Sequence, residues 1–167
     1  MLSDYFHVQL HPSIGIVLPL DNTTEVISLP RREICPIPGV SPALLGVVNQ
    51  RGRFLWVLEL SHLLKLAQPT TRVSQDNLTL IVLTSGSTDS TSGQSERRVG
   101  CVVSALKGII PLNSAKFKPV PTKFASSIGS FLSGIAEVEH SSVAVLSVSA
   151  VLANLHTSVP TTSMVSL

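Results

Sequence analysis

Apolar positions alternate with a period of two over short stretches of this chain, and turn-forming residues separate those stretches. Such alternation marks β-strands. Phe6, Val8 and Leu10 begin one. Residues 14–18 and 26–29 read as two more, with a turn at Asp21-Asn22 between them. Residues 78–83, 97–104 and 108–112 make a further three. The densest pattern lies in residues 44–66, where Val47-Val48 leads into Asn49-Gln50-Arg51-Gly52 and residues 54–60 run out again. Asn favours a tight turn through local hydrogen bonds, and Gly through its freedom at positive φ, so this is a hairpin. The outgoing run is apolar on both faces: Phe54, Trp56, Leu58 and Leu60 share one, Leu55 and Val57 the other, and Glu59 is its single charge. A strand buried on both sides has this composition. Ser61 then offers a cap for a short helix through His62-Leu63-Leu64.

The same unit occurs twice. At an offset of 88 residues (134 minus 46) Leu44 falls on Leu132, Gly46 on Gly134, Val47 on Ile135, Val57-Leu58 on Val145-Leu146, Ser61 on Ser149 and Leu63-Leu64 on Val151-Leu152, without a gap. Two copies imply two similar lobes and not a solenoid. Ahead of the first copy, Pro30, Pro36, Pro38 and Pro42 make residues 31–39 a loop or edge strand, and Ser41-Pro42 reads as the start of a short helix over residues 42–45. Residues 124–128 are a second helix candidate. Residues 67–77 form a polar connection, and 116–123, with three lysines and two prolines, a surface loop. Residues 84–96 contain no apolar side chain and read as a mobile hairpin loop. Many short strands with few, small helices give an all-β fold, most simply barrels.

Bulk composition changes this picture little. A chain of 167 residues, 44% hydrophobic and 13% charged, suits one globular domain with two lobes. The mean hydropathy of +0.40 raises the question of a membrane. The longest apolar runs, 99–112 and 143–155, are interrupted by Ser or Lys and too short to span one. The N-terminus lacks the pattern of a secretory signal. A net charge of +2 with 4% aromatics gives little support to nucleic-acid binding. Cys35 and Cys101 are isolated, so reduced thiols in a cytoplasmic protein are expected.

Signals of catalysis are poor. No Gly-rich phosphate loop and no elbow around a serine occur. His7, His11, His62, His140 and His156 are scattered, and neither a catalytic nor a metal site is expected of them. Glu59, inside an apolar strand, needs a partner, and a structural pairing is the expectation. Arg51 and Arg53, on either side of Gly52, read equally as a solvated turn or as a contact point held out on a rigid hairpin. Trp56 is expected in the core.

Several of these stretches together resemble a known family. Val26-Ile27-Ser28-Leu29-Pro30, Pro36-Ile37-Pro38-Gly39, the run from Leu45-Gly46 through Asn49-Gln50-Arg51-Gly52-Arg53, and Val57-Leu58-Glu59-Leu60 are similar to the chemotaxis coupling proteins, the CheW-like family. So are Val99-Gly100-Cys101-Val102-Val103, Gly108-Ile109-Ile110-Pro111-Leu112 and Phe131-Leu132-Ser133-Gly134-Ile135-Ala136. The resemblance implies a domain over residues 8–156, flanked by an N-terminal segment 1–7 and a C-terminal tail 157–167. It implies two packed five-stranded SH3-like β-barrel lobes and a non-enzymatic adaptor without cofactor or metal. Such an adaptor bridges the cytoplasmic tip of a transmembrane chemoreceptor and a sensor histidine kinase, and is cytoplasmic, gathered at receptor arrays on the inner face of the membrane. Arg51 is then a partner-binding residue, with Asn49, Gln50, Gly52, Arg53 and Glu25 around it and a groove between the lobes completing the surface.

The chain departs from the family pattern at several points. Gln50 stands where an apolar residue is usual, Trp56 where Pro is common, and Glu59 where Asp is. Acidic positions expected near Ser104 and at Ser147 are absent, and Arg31-Arg32 reads as an insertion. These changes leave room for a specialised kinase, as in pilus motility or phototaxis, or for a scaffold that joins receptors or motility components without kinase coupling. A hydrolase assembled from dispersed Ser, His and carboxylate groups is the distant alternative.

Overall fold

A computed structural model of the chain describes residues 1–11, 14–66, 76–85, 97–125 and 127–158. Its strands are β1 (Leu2–His11), β2 (Ile14–Pro19), β3 (Thr23–Pro30), β4 (Leu44–Gln50), β5 (Arg53–Glu59), β6 (Asn77–Thr84), β7 (Arg98–Val103), β8 (Ala105–Asn113), β9 (Leu132–Val138) and β10 (Ser141–Leu146). Among the described residues, α1 (Leu60–Leu63), α2 (Thr122–Ala125) and α3 (Val148–Ser158) are the helices longer than a single 3-10 turn.

The strands form two five-stranded sheets, in the orders β3-β6-β7-β5-β4 and β8-β1-β2-β10-β9. The first lobe is continuous in sequence. The second is built from both ends of the chain, because β2 pairs in parallel with β10 (Val17 beside Val145) and β1 pairs antiparallel with β8. Across each sheet the sequence of pairings is antiparallel, antiparallel, parallel, antiparallel. The two lobes therefore have one topology, entered at different points.

The repeat at an offset of 88 is a repeat of structure. Opposite Leu58 and Val57, β4 inserts an extra residue between Leu44 and Gly46. Opposite Leu146 and Val145, β9 does the same between Leu132 and Gly134. A bulge bends and twists its strand. At each bend the preceding segment crosses the strand. Cys35 and Val47 exchange backbone hydrogen bonds of 2.8 and 2.9 Å, and Lys118 and Ile135 exchange two of 2.8 Å. Gly46 (φ +143°) is required there, since a Cβ would overlap Cys35 O.

Strands apolar on both faces separate two kinds of core. Leu55, Val57, Leu80, Val82 and Val102 fill the first lobe, and Tyr5, Val17, Ala136, Val143 and Val145 the second. The opposite faces meet between the lobes, where Val8, Leu10, Ile16, Leu18, Leu58, Ile81, Leu83, Cys101 and Leu146 form a third and larger cluster. Leu60 of α1, Leu64 just after it, and Val148, Val151 and Leu152 of α3 pack into it.

Some expectations need correction. Residues 42–45 make one turn and then strand: Leu44 N–H donates to Ser41 O at 2.9 Å, and β4 begins there. Ser61 caps no helix. It is buried inside α1, and its hydroxyl donates to Leu10 O at 3.3 Å, tying the helix to β1 of the other lobe. The helix expected over residues 124–128 is observed as α2 over Thr122–Ala125, and a 3-10 turn at Gly129–Phe131 leads into β9. Of the polar stretches, residues 67–75 and 86–96 and the tail from 159 lie outside the described residues.

Candidate functional site

The β4–β5 hairpin turns in two residues, with Gln50 paired to Arg53. Arg51 (φ 54°) and Gly52 (φ 80°) both have positive φ, the backbone of a type I′ turn. Asn49 Oδ1 accepts from Gly52 N–H at 2.9 Å and locks the bend. The left-handed region costs a non-glycine residue about 1–2 kcal/mol, so Arg51 is held there by the hairpin around it.

The Arg51 side chain is 79% exposed. One of its Nη atoms donates to Glu25 Oε2 at 3.2 Å, reaching from the hairpin to β3. The other carboxylate oxygen of Glu25 accepts from Arg98 Nη2 at 3.3 Å, and the same nitrogen lies 3.4 Å from Gln50 Oε1. Glu25 and Arg98 are 21% and 18% exposed, so the inner half of this network is sheltered and the outer half is in water. The outer pair contributes at most about 1 kcal/mol to folding. What it does is aim Arg51. Thr24, Glu25, Gln50, Arg51, Arg53 and Arg98 line a depression of ≈290 Å³. Guanidinium groups donate hydrogen bonds in a fixed fork and do not relay protons, so what this corner offers outwards is chiefly a set of donors that match a carboxylate.

The structure gathers all six residues singled out in the sequence, Glu25, Asn49, Gln50, Arg51, Gly52 and Arg53, at one corner of the first lobe. Gln50, where an apolar residue was usual, serves as an acceptor for Arg98. Arg98 itself was missed. Its only signal was an Arg opening an apolar run, and the pairing with Glu25 joins residues 73 apart in sequence. Phe54 was expected on the face of Trp56; Trp56 does pack against the core between the lobes, but Phe54 is 81% exposed.

The remaining candidates do not line this depression. Glu59 is buried, and its N–H donates to Ala43 O at 2.8 Å. Burial, with the charge of Glu59 adding to it, pushes the Cys101 thiol up from 9.0 to about 12. Cys35 is exposed. His62 and His140 are exposed and His7 is half-buried. Among the described residues no group of three or more His, Cys, Asp or Glu could hold a metal ion. Ser104 and Ser147, the positions without the expected acids, are used internally. Ser104 Oγ donates to Leu10 O at 2.9 Å, and Ser147 Oγ accepts from Ala150 N–H at 3.4 Å at the start of α3. A second cavity of ≈620 Å³ lies on the other lobe, over Leu112, Phe117, Lys118, Ala136 and Glu137.

Two like-built SH3-like lobes on a shared apolar core, with an ionic corner on one of them, define a small two-lobed all-β protein without a recognisable reaction centre among the described residues. The CheW-like domain family matches residues 4–156, and the chain belongs to that family. Among solved structures it is similar to the scaffolding protein TtCheW from Thermoanaerobacter tengcongensis, with 18% identity over 88% of this chain and 90% of that one and a TM-score of 0.69. At that identity the likeness speaks for the fold. No curated protein sequence matches this chain significantly.

Proposed function

We infer that this chain is a non-enzymatic adaptor that couples the cytoplasmic tip of a transmembrane chemoreceptor to a sensor histidine kinase, in a chemotaxis, phototaxis or pilus-motility pathway. Membership of the CheW-like family supports the adaptor reading, and the similar fold of a protein described as a scaffold agrees with it. The observation that carries the assignment of a surface is Arg51, 79% exposed on a strained turn and braced by Glu25. Asn49, Gln50, Gly52, Arg53 and Glu25 complete the partner-binding corner, and residues 8–156 act as the coupling unit. Among the described residues no helix is long and apolar enough to cross a membrane. The place of action in this reading is the cytoplasm, at receptor arrays under the membrane.

Co-purification of kinase and receptor tip with the wild-type chain and with Arg51→Ala tests this. Arg51→Ala is expected to change stability by about 0.5 kcal/mol or less and to weaken binding by about 2 kcal/mol or more. Circular dichroism checks that the variant is folded. Undiminished capture of both partners removes Arg51 from the surface.

One observation favours a second reading, a scaffold that links receptors or motility components without a kinase. The hydroxyls of Ser104 and Ser147 bond to backbone groups of this chain, where the family pattern has acids. Stoichiometric co-purification of a histidine kinase rules it out.

A further inference from the structure

Comparing the lobes position by position separates what the fold needs from what the first lobe adds. The hairpin register and the parallel pairing (Trp56 beside Val99, Ala144 beside Ile16) set Arg98 against Gly15 in the second lobe. The shared 3-10 turns, Arg31–Glu33 and Ser114–Lys116, give an offset of 83 (114 minus 31) for β3 and β8, so Glu25 stands against Gly108. At the hairpin offset of 88, Arg51 stands against Glu139, Gln50 against Val138 and Phe54 against Ser142. The second lobe makes the same sheet, bulge and I′ turn with none of the first lobe's ionic network and no aromatic at the exposed position. The fold therefore does not call for Arg98, Glu25 or Phe54.

We propose that Phe54 and Arg98 belong to the docking machinery of the first lobe, and that the partner meets it with an acidic stretch beside an apolar side chain. This rests on the coupling reading above and names the chemistry of the partner. The depression is lined by three guanidinium groups, Arg51, Arg53 and Arg98, against the single carboxylate of Glu25. Both oxygens of that carboxylate are already engaged. Among the described residues Arg51 has no other partner, so most of its donor fork faces outwards for a carboxylate. Phe54, next in the strand to Arg53, presents its ring to solvent on the other face of the hairpin, where buried aromatic anchors of interfaces come from. A partner seated on the hairpin tip covers both. Arg98 is too sheltered to be the main contact; it acts as a positioning residue, holding Glu25 so that Glu25 can hold Arg51.

The test measures binding of the full chain to the purified receptor tip and to the kinase regulatory domain from the same organism. Arg53→Glu and Phe54→Ser, the latter being the second lobe's own residue at that place, are each expected to weaken binding about tenfold. Phe54→Tyr keeps the ring and the affinity. Raising salt from about 50 to about 300 mM is expected to weaken the wild type more than Arg53→Glu. Arg98→Gln is expected to weaken binding about fivefold, with partial recovery in Arg98→Lys. Arg51→Ala added to Arg98→Gln should cost less than it does alone, because the two act on one guanidinium. If the wild type binds neither partner, the coupling reading fails. If it binds and Phe54→Ser and Arg53→Glu stay within about twofold, or Arg51 and Arg98 prove additive, the docking inference is overturned while coupling stands.

Discussion

The two lobes share a topology, a bulge, a crossing segment and a turn type, yet they spend their side chains differently. In the first lobe the β4–β5 turn is Arg51-Gly52, backed by Glu25 and Arg98. In the second the β9–β10 turn is Glu139-His140, both residues at positive φ (49° and 65°) without a glycine to relieve them. Inside, Leu55 and Leu80 close over Gly100 of the first lobe, each methyl carbon 3.2 Å from where a Cβ would stand. The second lobe has Val143, Tyr5 and Val17 at the matching places, a redistribution of volume that leaves both interiors filled. What is duplicated is backbone and apolar pattern. What is not duplicated is charge. That division is the reason to look for recognition at the first lobe's corner.

The glycines at the two bulges give the sharpest way to break the comparison. Gly46→Ala places a Cβ on the Cys35 carbonyl, 2.7 Å from its carbon, at a φ of +143°. It should cost about 4 kcal/mol. At Gly134 the nearest atom, Lys118 O, is 3.1 Å away, and the same substitution should cost about 1 kcal/mol. Urea unfolding of both variants checks the contrast. Equal losses would mean that the two crossings are equally tight.

Leu58→Ala and Leu146→Ala test the shared core. Both residues are at most 3% exposed and belong to the cluster between the lobes, and each truncation should cost about 2–5 kcal/mol. Each should also lower the cooperative transition of the whole molecule. Separate transitions for the two lobes would show the interlobe core to be weaker than its burial suggests.

Cys101 supplies a pH-dependent contrast, since the matching place in the second lobe is Leu18. The folded thiol is raised from 9.0 to about 12 by burial first and by Glu59 second. A raised pKa means that the unfolded chain gives up its proton first. Its stabilisation is complete below pH 9.0 and is lost as pH rises towards about 12. The loss runs at about 1.4 kcal/mol per pH unit. Thermal melts above pH 9 should fall more steeply for the wild type than for Cys101→Val. Parallel slopes would assign the alkaline loss to other groups, among them Tyr5, whose phenol is also raised by burial.

The smallest effects are at the turns. Gly52→Ala, at φ +80°, should destabilise by about 1 kcal/mol. His140→Gly, at φ 65°, should stabilise by about 0.5 kcal/mol, strain relief being partly offset by chain entropy. Opposite signs in two turns of one type would confirm that the second lobe tolerates a strained turn which the first avoids at Gly52.

Much of this was legible in the residues. The hairpin at Asn49-Gln50-Arg51-Gly52, the strand after it and the second copy 88 residues on were all readable from alternation and turn chemistry, because these are local properties of the chain. The short helix over residues 42–45 was misread for the opposite reason. Ser41-Pro42 carries a helix signal, but pairing of Leu44 with Leu58 draws the segment into the sheet. Glu25 could be placed beside Arg51 only through the family resemblance, and Arg98 not at all.

The chain's own pattern, then, determined which segments are strands, which of them are buried on both faces, and that one unit is used twice. Periodicity records how a segment meets apolar surface, whatever that surface is. Only the folded molecule decided that β1 and β2 complete the C-terminal lobe, that the doubly apolar strands face each other across a common core, and that Arg98 reaches Glu25. Those contacts join residues far apart along the chain, where spacing carries no trace of the partner and three-dimensional packing makes the choice.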